Sequence, residues 1–407
     1  MTDPTPIKVA TVITRMGAGA GGVALRGALA LDPRRYAVSI IAGGAGLTGA
    51  RVDGADEVVR AADAVKDAPE GDLLAQAFSA GLDVMRVPSL VPELSPGRDR
   101  AALDTLTRLL GTSGYDVVHT HSAKAGALGR LAAHRAGVGR IVHTLHGFPF
   151  HEFQSAARRG AYVRIERWLG RRTHAFLAVG SAVAAEAIRR RIAAPDRIRT
   201  IPPVVDPIVV APGQAARGLA RRRLELPTGV RLVGTVGRVD YQKAPEHWID
   251  ALASINCPDV WGIWIGDGPL RGELLARAHQ RGLGERFRLL GHRDDVAELL
   301  PALDVFALAS RYEGLPCALV EAIMAGVPAV ATAVNAVPDL VVPGETGLLV
   351  PPQAPELLGR AMRYLLDQPH EAARMAAAAR ERVGEQYTPH ALGVVLDHTY
   401  RGRTSWT

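Results

Sequence analysis

Cysteine is almost absent from this 407-residue chain: Cys257 and Cys317 stand alone and far apart. No C-x-x-C pair is available for zinc or redox chemistry, no disulfide framework can be drawn, and a reducing, cytoplasmic setting is expected. Lysine is nearly as scarce, with four residues (Lys8, Lys66, Lys124, Lys243) against 44 arginines. Such use of Arg for Lys looks like coding bias, but bias does not explain a net charge of +7, so an anionic partner stays open. Aromatic residues make up only 5%, and no basic stretch is interleaved with stacking rings, which makes nucleic acid the weakest such partner. The longest apolar run, near Ala322 to Val334, is cut by Pro328 and falls short of the ~20 residues that span a bilayer. The first residues lack the basic-then-apolar layout of a secretion signal.

What is present is alternation. Short apolar runs at Ile7 to Ile13, Tyr36 to Ala42, Leu82 to Val87, Asp116 to His119, Arg140 to Thr144, Ala175 to Val179 and Arg197 to Ile201 read as strands. Helical patterns fall between them, at Val23 to Leu31, near Arg100 to Leu110, at Lys124 to Arg135, at Ser155 to Arg172, and after a cap at Ser181. Residues 45–80 read as a helix and a loose loop. Parallel strands joined by crossover helices are the economical solution, an α/β fold. The Pro-rich segment from Pro202 and the Pro- and Gly-marked stretch to Gly229 read as an interdomain linker, after which the alternation resumes at Arg231. The expected domains are 1–206 and 230–386, with 207–229 as linker; 407 residues suffice for two full cores.

Several loops carry chemistry. Arg311 to Gly326 lies between the apolar runs Asp304 to Ala309 and Val327 to Ala331. Pro316 supplies a φ suited to a first helical turn, Cys317 to Ala325 reads as a short helix, and Gly326 closes it. A helix start offers free N–H groups and partial positive charge to a phosphate. Glu313 and Glu321, spaced E-x7-E around it, are acceptor-only carboxylates that suit hydroxyl donors. Upstream, Gly237, Arg238 and Lys243 follow the strand Arg231 to Val236, and two cations there suit an anionic leaving group.

In the first half, Gly17, Gly19 and Gly22 satisfy a dinucleotide fingerprint, yet the second strand ends in Gly43-Gly44 without the carboxylate that fingerprint wants. His119 and His121 end one strand and His143 and His146 the next, where open α/β sheets bind ligands. H-x-H there suits an imidazole-ligated metal; for His119 and His143 a hydrogen-bonded structural role is the plainer reading. Arg158 to Arg172 holds six arginines and one acid, Glu166, with Tyr162, Val163, Trp168 and Leu169 among them. That helix suits either an anionic membrane surface or a solvated face.

Together these segments resemble the family-four retaining glycosyltransferases. The E-x7-E element is similar to their donor-binding signature, and Arg238 with Lys243 to their diphosphate-holding pair. His119 to Arg130 and Val142 to Glu152 resemble the acceptor half of members that extend lipid-diphosphate-linked saccharides. The resemblance implies the GT-B fold: two Rossmann-like domains with parallel sheets facing each other across a cleft, acceptor in the first and donor in the second, and a terminal helix, 387–407, crossing back. It implies transfer from a nucleotide-diphosphate sugar, UDP-N-acetylhexosamine for example, to a hydroxyl of a lipid-linked saccharide or small-molecule acceptor. Front-side attack, with the donor phosphate taking the acceptor proton, needs no side-chain nucleophile, metal or other cofactor, and the chain has no D-x-D.

By the same match, His146, Arg238, Lys243 and Glu313 act at the reacting centre. Gly21, Gly22, Gly237, His292, Arg293, Gly314, Leu315, Pro316 and Glu321 bind the donor, and His121 and Lys124 the acceptor. Ala244 stands where the family has a glycine, and Asn335-Ala336 where it usually has a glycine pair. Two other classes stay open: a metal-dependent hydrolase using the strand-end histidines, and a non-catalytic nucleotide-sugar-binding protein of the same fold.

Overall fold

The apolar runs fold as strands of two sheets in a computed structural model that describes residues 5–17, 19–44, 58–66, 73–148, 150, 154–201, 213–314 and 316–402. The chain divides into a first unit, residues 1–204 with 389–407, and a second, 205–388. In the first, β1 (Ile7–Ile13), β2 (Tyr36–Gly43), β3 (Val59–Arg60), β4 (Asp83–Val87), β5 (Val117–His121), β6 (Arg140–Leu145), β7 (Ala175–Ala178) and β8 (Ile198–Thr200) lie in the order β3-β4-β2-β1-β5-β6-β7-β8. The second holds β9 (Arg231–Val236), β10 (Val260–Ile265), β11 (Phe287–Leu289), β12 (Val305–Leu308), β13 (Ala329–Thr332) and β14 (Leu348–Val350), ordered β11-β10-β9-β12-β13-β14. Every pairing is parallel except that of β3 with β4.

Successive side chains of a strand point to opposite faces, so parallel strands that are apolar throughout bury both. In β1, Val9 and Ile13 share a core with Val23 and Leu25 of the helix Ala20–Leu29 and with Leu392, Leu396 and Tyr400 of the last helix, Pro389–Tyr400. Ala10 and Val12 reach the opposite core, with Leu106 of the helix Pro96–Thr112 and Ala132 of the helix Ala123–Arg135. The second sheet does the same: Leu232 and Phe306 pack with Leu319 and Ile323, Val233 and Val305 with Trp248 and Met362. With both faces covered, the strand ends are left to carry a site. Strand order reverses between β1 and β5 and between β9 and β12, and at such switch points adjacent loops diverge and open a crevice at the carboxyl edge.

Some local expectations need correction. The stretch read as linker contains a helix, Gln214–Arg223, whose Ala216 and Ala220 are buried and whose Arg217 and Arg221 bond Asp304 at 2.5 and 2.8 Å. Residues 45–57, 67–72 and 202–212 lie outside the described residues. The first helix begins at Ala20, not Val23, so Gly21 and Gly22 belong to its first turn. A Cβ on Gly21 would stand 2.9 Å from the Met16 carbonyl carbon, which is why glycine is needed there. Ser181 is a helical residue that follows the cap position, Gly180. Pro316 is itself the cap, with extended ψ of 112°, and the first turn starts at Cys317.

The arginine-rich helix, Ala156–Gly170, is capped by the Ser155 hydroxyl, which accepts the Arg158 N–H at 3.4 Å. Its one acid, Glu166, turns inward and meets Arg130 at 2.8 Å, both side chains buried. Removing one partner of a buried pair strands the other charge, at about 3–5 kcal/mol. Glu166→Ala is therefore expected to lower the unfolding free energy by that amount in urea titration. A loss under about 1 kcal/mol, typical of a surface pair, would contradict this account.

Candidate active site

The loops after β9 and β12 meet at the switch point of the second sheet. Lys243 ends the short 3-10 turn Tyr241–Lys243, which Asp240 caps by accepting the Lys243 N–H at 3.3 Å. The lysine side chain then runs across Gly237, where a Cβ would lie 3.0 Å from its Cε. Its ammonium reaches Glu313 Oε1 at 2.5 Å, and both side chains are largely withdrawn from solvent, 16% and 5% exposed. The same carboxylate accepts the Ser310 hydroxyl at 2.6 Å and the Gln242 amide at 3.0 Å. The backbone N–H of Glu313 donates to Asn335 Oδ1 at 2.8 Å, which brings in the loop after β13. Ala244 closes the turn in the left-handed region, φ 48°, fully buried, in the place where the resembling family has glycine. Such a conformation costs a Cβ-bearing residue about 1–2 kcal/mol, so the surrounding contacts must hold it.

The other second-unit candidates make contacts of their own, separate from this pair. Arg238 is mostly exposed, its Nε 3.4 Å from Asp240. His292 and Arg293 are exposed on the turn after β11, facing Asp294 at 3.4 Å and forking onto Asp295 at 2.7 and 2.6 Å. Gly291, which opens that turn, accepts the Gly266 N–H at 2.7 Å through its carbonyl. Glu321 lies half-buried in the second turn of the helix Cys317–Met324, Gly314 and Pro316 precede that helix, and Leu315 lies outside the described residues.

The first unit gathers its histidines at the ends of β5 and β6. His119 is buried, with Nδ1 2.7 Å from Tyr400 Oη and Nε2 2.7 Å from Thr144 Oγ1. His143 is buried against Thr120, whose hydroxyl is 2.9 Å from its Nδ1. His121 Nδ1 lies 3.0 Å from Nε2 of half-buried His146. Burial disfavours a charged ring, holding His119 down to about 3 and His146 down to about 4 and lowering His121 and His143, with the neighbouring rings adding to the effect on His119, His121 and His143. Lys124 stands apart, its ammonium 2.5 Å from Asp99 Oδ1. Among the described residues, no three or more His, Cys, Asp or Glu side chains gather as a metal site.

Gln242, Ser310 and Asn335 complete the Glu313 cluster; residue pattern marked Asn335 only as a departure from the family's glycine pair and did not mark Gln242 or Ser310. Asn335 left a signal: it replaces an expected glycine, and asparagine tolerates the left-handed backbone it adopts here, φ 45°. Ser310 left none, since a serine after an apolar strand is unremarkable by pattern.

Residues 18–208 match the family model described as Glycosyltransferase Family 4, and residues 217–382 the model described as Glycosyl transferases group 1. The chain is 34% identical over 254 residues to the UDP-Gal:alpha-D-GlcNAc-diphosphoundecaprenol alpha-1,3-galactosyltransferase of Escherichia coli, covering 61% of this chain and 66% of that one. It is 31% identical over 317 residues to the 2-deoxystreptamine glucosyltransferase of Streptomyces kanamyceticus, covering 74% and 81%. Among solved structures, Anabaena HepE in complex with UDP and glucose superposes with a TM-score of 0.78 at 21% identity, over 97% of this chain and all of that one, a likeness of fold.

Below about pH 6.5 an unfolded chain protonates the buried imidazoles, while the folded chain keeps His146 neutral to about 4 and His119 to about 3. The unfolded state then binds more protons, so stability falls as pH drops through that window. The thermal midpoint is expected to decline on acidification from about pH 7 to about pH 4, less steeply in His119→Gln. Equal slopes in the two proteins would contradict a buried neutral His119.

Proposed function

Because the chain belongs to glycosyltransferase family 4 and has the GT-B fold, we propose that it is a retaining, metal-independent transferase moving a hexosyl or N-acetylhexosaminyl group from a UDP-linked donor. The acceptor in this reading is a hydroxyl of a lipid-linked saccharide, with a soluble small molecule second. The relatives support both: one is named for a lipid-diphosphate-linked acceptor, the other for 2-deoxystreptamine, and the fold neighbour holds UDP and glucose.

The observation that carries the proposal is the Lys243 ammonium, held by Glu313 at a sheet switch point. Breaking the bond from sugar to diphosphate builds negative charge on the departing oxygen. A cation fixed beforehand in a poorly hydrated site stabilises that charge without reorganising. Lys243 and Arg238 serve this role, helped by the partial positive charge at the start of the helix Cys317–Met324. Glu313 already accepts three donors, so its main work is to aim Lys243; one lone-pair direction remains for a sugar hydroxyl. Glu321 takes the ribose, the His292–Arg293 turn the base, and His146 the donor sugar near C6. The acceptor oxygen bonds to C1 on the face the diphosphate leaves, and its proton passes to the leaving phosphate oxygen.

The exposed face of the helix Ala156–Gly170 fits this acceptor class. Ile165 and Trp168 are 50% and 42% exposed there, and Arg172 lies 3.8 Å over the Trp168 ring. With Arg158, Arg164 and Arg171 also exposed, this face suits peripheral contact with an anionic membrane.

Lys243→Ala is expected to lower kcat about 100- to 1000-fold in a donor-turnover assay, and EDTA to leave the native rate unchanged. Near-normal turnover by the variant, or activity lost to EDTA and restored by zinc, would overturn the mechanism. Sedimentation with acidic-lipid vesicles is expected at low salt, weakening as salt rises and in Trp168→Ala; no binding at low salt would remove the membrane contact.

A further inference from the structure

We infer that His121 is a positioning residue for His146, fixing the orientation and tautomer of that ring, and does not bind the acceptor. The inference rests on the proposal that His146 faces the donor sugar. His121 closes β5 with 2% of its surface exposed, so an acceptor hydroxyl has little access to it. The cavity beside it measures about 10 Å³, space for about one water and not for a sugar. Its Nδ1 lies 3.0 Å from His146 Nε2, with ring centroids 5.3 Å apart.

Two neutral imidazoles in this contact share one proton, and whichever ring donates it settles the tautomer of the other. If His121 donates, His146 accepts at Nε2 and carries its hydrogen on Nδ1. If His146 donates, its Nδ1 is bare. Either way, whether His146 can offer Nδ1 as donor or acceptor is decided behind it.

His121 is in turn backed by His119, with ring centroids 4.3 Å apart. Both nitrogens of His119 are taken, by Tyr400 on the last helix and by Thr144 on β6. His121 therefore has a rigid backstop on one side and, among the described residues, a single side-chain polar contact, to His146, on the other. That is how a buried group orients a half-buried one: the rotamer is locked by packing and the direction is set by one hydrogen bond.

The test compares His121→Leu with His121→Asn in enzyme turning over donor and acceptor. Asparagine branches at the same carbon as histidine, so its amide can donate or accept where Nδ1 stood; leucine fills space without that bond. His121→Leu is expected to lower kcat about 10- to 100-fold with donor KM little changed, as for a reacting group displaced by about 1 Å, and His121→Asn to recover most of it. In a His146→Ala background His121→Leu should have no further effect, because the bond it breaks is already gone. Equal losses in the leucine and asparagine variants, or an additive loss in the His146→Ala background, would mean a packing role and overturn the inference. A native rate in His146→Ala would instead defeat the underlying site proposal. Should the leucine variant fail to fold, the ring-nitrogen NMR shifts of His146 in the native protein decide: one neutral tautomer supports positioning, and a mixture rejects it.

Discussion

The second unit depends on one ion pair made across a change of strand order. Lys243 comes from the loop after β9 and Glu313 from the loop after β12, strands adjacent in the sheet but remote in sequence. A parallel sheet wound outward from its first strand sends successive crossovers to opposite sides, so the loops on either side of that strand part company. Here the parting is bridged. The Arg311 N–H donates to the Gln242 carbonyl at 2.8 Å, and the Arg311 guanidinium lies 4.1 Å from the Tyr241 ring centroid and pairs with Glu246. These contacts hold the left-handed turn at Ala244, which an alanine would not adopt alone. An ammonium thus sits in a fixed place before any ligand arrives.

The first unit treats its own switch point in the same way with neutral groups. Thr14, just past β1, lies 2.9 Å from the Ser122 hydroxyl just past β5 and accepts the Ala125 N–H at 3.1 Å. Ser122 is also left-handed, φ 63°. Each sheet therefore has a non-glycine residue in a sparsely populated backbone region, one loop beyond its reversal. Strain of this kind persists only where neighbours over-determine the conformation, and it clusters where side chains must be aimed.

How much of this could be read from residues alone follows from what local pattern encodes. Apolar runs of a parallel strand are a strong signal, so β1, β9 and β12 were legible almost to the residue. The end of the helix Cys317–Met324 was legible too, because Gly326 takes φ 76° and the Val327 N–H bonds the Ala322 carbonyl at 3.0 Å, a closure glycine permits. The helix Gln214–Arg223 was hidden: its buried face is mostly alanine, and Pro212, Gly213, Pro227 and Gly229 around it look like linker punctuation. What holds it is Asp304, more than eighty positions away. The two-residue β3 was invisible for the opposite reason, being too short to show a period. Residue types in order were enough to make Lys243, Glu313 and His146 candidates. Which partner each takes is tertiary, and so the burial of His121, the pairing of Lys124 with Asp99 and the part of Ser310 emerged only from the fold.

The scarcity of lysine sharpens the argument about Lys243. Arginine holds carboxylates elsewhere in this unit by its planar fork, as Arg293 does on Asp295 and Arg277 on Asp250. A fork engaged by a carboxylate has its directions fixed by the plane of the guanidinium. An ammonium is a compact charge with three rotatable donors, and Glu313 occupies one of them. Lys243 can therefore remain bonded to Glu313 and still turn hydrogens toward an arriving phosphate. In the proposed role the carboxylate keeps the cation in place and leaves donors over for a ligand, a division of work that a planar guanidinium locked on the same acceptor would not provide.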